Sequence, residues 1–279
     1  MKINMECTTY CSASCNFCPR VDMNRPLGEM SDKLFHKIIK DGKAIRVKRY
    51  SPFLMGDPFV FPRIWEWLDY MKKEDVIASL YTNGSHLDVD RIIKYNNIDY
   101  LDISLNAAIA ETHSKIMHIA GDRFNEIVDK INFLFKHAPF SVRVSFIITS
   151  ENFHEMKQFK EMFPRVKFCG MVNWKGARHD PMERVGKKRP CLIPFIQMFV
   201  LYDGTVVPCC MDFDGKHVLG DANKQTLGEI WNTTQKRFED MHRRGEWDKI
   251  PICKNCNYNV ESKYYEGSYS PLLDHKSGS

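Results

Sequence analysis

The sequence predicts an α/β protein: an incomplete, six-unit β/α barrel followed by a small cysteine-rich unit. Three observations carry that prediction. Apolar strand patterns alternate with amphipathic helix patterns through residues 1–173, as in a parallel sheet wrapped by helices. Beyond a polar stretch, Lys175 to Pro190, the pattern changes to an antiparallel hairpin and one long helix. The ten cysteines include a tight triplet near the start and a dispersed set after residue 190. The expected layout is a barrel over 1–175, a linker over 176–190, a cysteine unit over 191–267 and a polar, flexible tail over 268–279.

The elements follow in order. Residues 1–6 alternate as a first strand that runs into the triplet. Ser31 offers an N-cap to a helix reaching about residue 43, with Phe35, Ile38 and Ile39 on one face. Residues 47–55 read as strand two, and Pro62 suits the first turn of a helix through Met71. Residues 76–81, 100–105, 142–148 and 165–173 read as strands three to six. Helices are expected near 87–94, 121–136 and 153–162. Residues 199–202 and 205–207 flank Asp203-Gly204, a two-residue hairpin turn, and a helix follows over 226–244 with Leu227, Ile230 and Trp231 buried.

Composition narrows the class. Hydrophobic residues at 43% and charged residues at 27% are those of an ordinary globular chain. No apolar run approaches the roughly 18–20 residues of a membrane span, and the N-terminus has no secretory apolar core. The expectation is a cytoplasmic protein with reduced thiols, whose cysteines serve metal ligation more than disulfides. A net charge of +5 tolerates an anionic ligand but gives no nucleic-acid stripe, so neither nucleic acid nor membrane is expected as a partner.

Cys11, Cys15 and Cys18 stand in a C-x3-C-x2-C spacing, with Phe17 just before the last. Four thiolates would complete a zinc shell or serve every iron of a cubane cluster. Three suggest a 4Fe–4S cluster with one iron left for a small molecule; a zinc knuckle or scattered buried thiols is the plain alternative. Further polar groups fall at the C-terminal ends of the strands, where barrels of this kind carry function. Strand two ends at Met55-Gly56-Asp57-Pro58, strand three at Thr82-Asn83-Gly84, strand four at Ser104 and Asn106, and strand five at Ser145 and Thr149, with Asn152 close behind. Taken singly, Gly-Asp-Pro and Thr-Asn-Gly are common turns and the serines ordinary strand residues.

Together the triplet and these strand ends resemble the radical S-adenosylmethionine (SAM) enzymes. The resemblance implies that a cluster on Cys11, Cys15 and Cys18 reduces SAM to methionine and a 5′-deoxyadenosyl radical. Met55-Gly56-Asp57-Pro58 resembles the family's Gly-Gly-Glu-Pro segment, which holds the SAM amino group; here Met55 replaces a glycine and Asp57 the glutamate. Asn83, Ser104, Asn106, Ser145 and Thr149 are then implied around the SAM carboxylate, ribose and adenine.

The second set, Cys191, Cys209, Cys253 and Cys256, has the spacing C-x17-C-x43-C-x2-C, with Cys210 able to exchange for Cys209. Four thiolates suit zinc or a cluster. Asp203 to Cys210 and Leu227 to Asn232 resemble the SPASM/twitch extension of radical SAM enzymes, which implies an auxiliary 4Fe–4S cluster in the shorter twitch form. Cys7, Cys169 and Cys210 are expected as buried small hydrophobes.

The implied activity is oxidation of an alcohol carbon on a sugar- or cyclitol-like molecule. Two 4Fe–4S clusters and SAM are the implied cofactors, the auxiliary cluster accepting an electron, with an external flavodoxin- or ferredoxin-type reductant. Such an oxidation needs a base, for which Arg178 and His179 are candidates by location alone. One alternative is a radical SAM/SPASM maturase that crosslinks or epimerises a ribosomal peptide. Those enzymes often carry a peptide-binding module before the barrel, and a first strand starting at residue 2 counts against it. A non-catalytic zinc or cluster sensor is the remote alternative, and it gives no account of the strand-end residues.

Overall fold

The computed structural model describes residues 1–119 and 123–260. The expected tail over 268–279 and the last residues of the expected 191–267 unit lie outside the described residues. Strands β1 (Lys2–Met5), β2 (Arg49–Ser51), β3 (Ile77–Thr82), β4 (Ile98–Ser104), β5 (Ser141–Ile148) and β6 (Val166–Gly170) pair in parallel, in chain order. Between them run helices α1 (Asp32–Ala44), α2 (Ile64–Lys73), α3 (Val89–Ile92), α4 (Ala110–Met117), α5 (Arg123–His137) and α6 (Met156–Met162). A short α7 (Ile193–Ile196) then leads into β7 (Gln197–Val200), β8 (Thr205–Val207) and β9 (Gly220–Asp221). Helices α8 (Leu227–Ile230), α9 (Lys236–Arg243) and α10 (Pro251–Lys254) follow.

All nine strands form one sheet in the order β6-β5-β4-β3-β2-β1-β7-β8-β9. The C-terminal hairpin thus continues the barrel wall, because β7 lies parallel to β1 with Lys2 opposite Gln197 and Met5 opposite Val200. Strand alternation separates two environments. Ile3 and Met5, Leu101 and Ile103, and Val142, Val144, Phe146 and Ile148 are buried under the helices. Their neighbours Lys2 and Asn4, Tyr100, Asp102 and Ser104, and Arg143, Ser145 and Ile147 line the barrel's interior. The helical layer locks on through α1 and α2, where Phe35 stacks on Trp67 at 3.9 Å and the Trp67 indole N–H donates to Asp32 at 2.8 Å. Ser31 caps α1 by accepting from the Leu34 amide, as expected.

Several expectations need correction. Strand two is only Arg49–Ser51, since residues 52–57 leave the sheet to approach the cysteine loop. Strand six likewise stops at Gly170 rather than residue 173. Pro62 precedes the α2 N-cap Arg63 instead of occupying the first turn. The helix expected over 87–94 is regular only over Val89–Ile92. The hairpin loop is not a two-residue turn: Leu201 donates to Thr205, leaving residues 202–204 as the connection, with Gly204 at φ 97°. That is the three-residue loop whose last position requires a left-handed residue. The helix expected over 226–244 starts on a Thr226/Glu229 capping box but passes through a π-helical turn at Trp231–Gln235 between α8 and α9. Helix α4 has no counterpart in the sequence reading, and it supports the cysteine loop.

Candidate functional site

The cysteine loop leaves β1 and is held at both flanks. Backbone amides of Ser14 and Asn16 donate to the carbonyls of Met117 and Ile116 at the end of α4, at 3.1 and 3.0 Å. Opposite, the Asp57 amide donates to the Tyr10 carbonyl at 2.9 Å. Gly56 is required there, because a Cβ would lie 2.3 Å from the Thr8 carbonyl oxygen and 2.6 Å from that of Tyr10. Arg20 closes the loop on itself by donating to the Ala13 carbonyl at 2.8 Å.

Cys11, Cys15, Phe17 and Cys18 face a cavity of about 1830 Å³ that fills the barrel. This exceeds the usual ~300–1,000 Å³ of a single-ligand pocket, so two molecules have room side by side. Gly56, Asp57, Asn83, Ser104, Asn106 and Ser145 line the same cavity. Asn83 presents its amide N–H to Cys11 Sγ at 3.5 Å and to Ser12 at 3.1 Å. Asn106 adopts φ 61°, accepts from the Ile147 amide at 2.7 Å and so joins the ends of β4 and β5. Burial pushes the Cys11 thiol up to about 11, with the Asp57 charge adding to it; loading a cluster there must release protons.

Four sequence-based expectations change. Asp57 does not reach freely into the cavity: its carboxylate accepts from the Phe59 amide, the Thr82 hydroxyl and the Asn83 amide, at 2.7–3.1 Å. It ties the end of β2 to the end of β3. Thr149 does not line the cavity, since its amide and hydroxyl both donate to Asn152 Oδ1; Ile147 is the β5 residue that faces inward there. Ser145 donates its hydroxyl to Asp102. Arg178 is absent from the cavity wall: it pairs with Asp22 and donates to the Cys18 carbonyl at 2.9 Å. A guanidinium that is always protonated and already paired is no base. His179 is exposed, near Glu183.

The second set converges. Cys191, Cys209, Cys253 and Cys256 surround one small cavity with Ile252 and Phe238. Cys210 points the other way, into the large cavity, as expected for a strand neighbour. Cys210 and Cys169 are thus open to the large cavity and not fully buried, whereas Cys7 is buried and donates to the Pro52 carbonyl. Burial pushes the Cys253 thiol up to about 12, the neighbouring Cys256 and Cys191 adding to the shift. The donor sets fit clusters in kind: three thiols beside an open cavity, and four around a closed one. Among the described residues no three Cys, His, Asp or Glu side chains converge as a single-ion cage would.

The sequence reading missed several residues at these sites. His242 holds Nε2 3.5 Å from Cys253 Sγ, and Lys188 donates to the carbonyls of Cys253 and Lys254 at 2.6 and 2.9 Å. Trp174 donates from its indole N–H to the Phe17 carbonyl at 2.9 Å, and the Asn173 amide donates to Asn257 Oδ1 at 2.9 Å. The segment after β6 therefore links the two cysteine regions. Inside the barrel, Asp102 accepts from Arg143 at 2.6 and 2.9 Å, and the hydroxyls of Tyr81 and Tyr100 meet. An inward-facing Asp or Arg on strand alternation is the one signal that could have revealed this polar floor.

Comparison with known proteins agrees with this geometry. A family model described as "Radical SAM superfamily" matches residues 5–163. The chain belongs to the radical SAM superfamily. A second model, an iron–sulfur cluster-binding SPASM domain, matches residues 191–257. The chain is therefore an enzyme that uses SAM and a 4Fe–4S cluster, with a further iron–sulfur site in its SPASM domain. It is 22% identical over 263 residues to the S-adenosyl-L-methionine-dependent 2-deoxy-scyllo-inosamine dehydrogenase of Niallia circulans, covering 91% of this chain and 92% of that protein. The crystal structure of BtrN in complex with AdoMet and 2-DOIA is similar at a TM-score of 0.66 and 20% identity, over 95% of this chain and 97% of that one. Streptococcus suis SuiB bound to the precursor peptide SuiA is similar at a TM-score of 0.69 and 14% identity, over 82% of this chain and 64% of that one. At these identities the structural likeness concerns the fold.

Proposed function

We propose that this radical SAM enzyme oxidises an alcohol carbon of a sugar- or cyclitol-like small molecule. One observation carries the reading. A single cavity is bounded on one side by Cys11, Cys15 and Cys18 and on another by Cys210, the sequence neighbour of Cys209 in the closed four-cysteine set. When bound, the cluster and SAM supply a carbon radical that takes one hydrogen atom, and an auxiliary 4Fe–4S cluster accepts the second electron of the oxidation.

The chain's own residues do the rest. Cys11, Cys15 and Cys18 ligate the first cluster, and Cys191, Cys209, Cys253 and Cys256 the second. Gly56 brings the end of β2 onto the cysteine loop, and Asp57 fixes the Asn83 backbone beside Cys11. Asn83, Ser104 and Asn106 offer polar groups to SAM at the strand ends. Phe17 and Met117 close the apolar side of the loop. Asn4, Tyr81, Tyr100 and Asp102 form a hydroxyl-bearing and amide-bearing floor below, suited to a polyol. The walls orient the substrate carbon and exclude competing donors. An external flavodoxin- or ferredoxin-type protein supplies the first electron, in the cytoplasm. Among the described residues no helix is long and apolar enough to cross a membrane.

Anaerobic reconstitution is expected to give about eight irons per chain, four for each site. Release of 5′-deoxyadenosine from SAM under a strong reductant is expected of the wild type and not of Cys11→Ala. Cys253→Ala should keep part of the SAM cleavage and lose oxidised product. Equal loss of cleavage in both soluble, folded variants would sink the division of labour. Deuterium passing from a labelled cyclitol into 5′-deoxyadenosine supports the substrate class; passage from a labelled peptide alone would favour the maturase reading.

A further inference from the structure

The walls of the large cavity are electrically lopsided. They carry eight Lys or Arg side chains against three carboxylates, and none of the eight stands on the cysteine loop. Two of the carboxylates are already matched: Asp99 pairs with Arg49 at 2.5 Å, and Asp102 with Arg143 at 2.6 Å. The third, Asp57, is held by backbone and hydroxyl donors at the cysteine-loop end. The surplus lies along the opposite part of the cavity, on Lys2, Lys157, Lys160, Arg165 and Lys167.

Two of these cations are drawn inside. Lys2 points inward from β1, and its one hydrogen-bond partner among the described residues is the Tyr81 hydroxyl at 3.4 Å. Lys167 points inward from β6, 14% exposed, with Nζ 3.9 Å from Asp102. An ammonium withdrawn from water into a cavity is costly unless an anion meets it there. Exposed Lys160 and Arg165 stand where β6 begins and extend the same sign outward, which draws an anion in by long-range attraction. The strands rise about 3.3 Å per residue, so the six residues from Tyr100 to Asn106 span roughly 20 Å. A ring placed beneath the SAM-side residues leaves its far substituent among these cations.

We infer that the substrate carries a phosphoryl group, which Lys2 and Lys167 hold in the barrel while Lys160 and Arg165 guide it in. This rests on the oxidation proposed above and narrows its substrate to a phosphorylated polyol, such as a sugar phosphate or a nucleoside-diphosphate sugar. A dianionic phosphoryl group matches several point-charge donors better than a single carboxylate does.

The test uses the reconstituted, SAM-loaded enzyme titrated calorimetrically with inorganic phosphate, inorganic pyrophosphate and acetate. Phosphate and pyrophosphate are expected to bind, more weakly at higher salt, and at least tenfold more weakly to the Lys2→Gln/Lys167→Gln double variant. The charge-preserving Lys2→Arg/Lys167→Arg variant should recover part of that affinity, which a merely structural role would not produce. Lys224→Gln, at an 82% exposed site on the far side of the hairpin, controls for net charge. Phosphate binding that is absent, unchanged in the Gln double variant, or matched by acetate overturns the inference. SAM cleavage by the wild type, measured in parallel without any added anion, reports separately on the radical reading.

Discussion

At Asp57 one carboxylate answers three donors, from Phe59, Thr82 and Asn83, while buried at 3% exposure. Burial pushes its carboxyl upward, and the hydrogen bonds pull against that shift. Asp57→Asn keeps the size but turns an N–H toward a donor, leaving a buried pair unsatisfied. The expected cost is about 1–3 kcal/mol, read from the urea midpoint, together with weaker SAM binding. Lys2 shows the opposite imbalance. Burial pushes it down to about 8, with Asp99 resisting and Lys167 and Arg49 reinforcing. The unfolded chain therefore binds the extra proton between about 8 and 10.5, and stability rises with pH across that window. Lys2→Met is expected to raise Tm at pH 7, and the advantage over wild type should shrink above pH 8. A flat difference from pH 7 to 10 would contradict this. A residue kept at a cost to stability is what a binding site demands.

At the scale of elements, two glycines set the geometry around the cysteines. Gly56 lets the end of β2 touch the triplet loop backbone to backbone. Gly56→Ala must push the two apart, so first-site iron after reconstitution should fall while the four-cysteine set still loads. Gly204 ends the β7–β8 loop at φ 97°, and a Cβ there would also meet the Asn223 side-chain amide at 2.1 Å. Gly204→Ala should cost more than the ~1 kcal/mol of the conformation alone, visible as a lowered Tm. Helix α4 shows why its sequence gave no warning. Its buried side Thr112, His113, Ile116 and Met117 is short and half polar, and it ends on His118 at φ 52° instead of a glycine. Only the loop amides that rest on its last carbonyls reveal its purpose.

For the whole molecule, the single nine-stranded sheet places the two cysteine sets on one continuous scaffold. The segment after β6 closes the arrangement through Trp174 to Phe17 and Arg178 to Cys18 and Asp22. Arg178→Ala should therefore leave iron content intact and increase 5′-deoxyadenosine formed per product, because it loosens the loop without removing a thiol. A complete loss of product with unchanged iron and unchanged cleavage would instead return Arg178 to the substrate.

Strand and helix periods, the cysteine spacings and the polar strand ends were local signals, and residue order alone placed Cys11, Gly56, Asn83, Ser104 and Asn106 on one end of a parallel barrel. Chemistry of thiols and the requirement for an open iron made the two-site reading available before any fold was seen. What tertiary structure decided were matters of direction. It turned Cys209 to the closed set and Cys210 to the large cavity, and withdrew Thr149 and Arg178 from the wall. It also gathered Lys2 and Lys167, 165 positions apart, around one interior. Spacing along a chain determines which residue types lie within reach of a chemistry. Only the closed sheet determines which of their side chains face the same space.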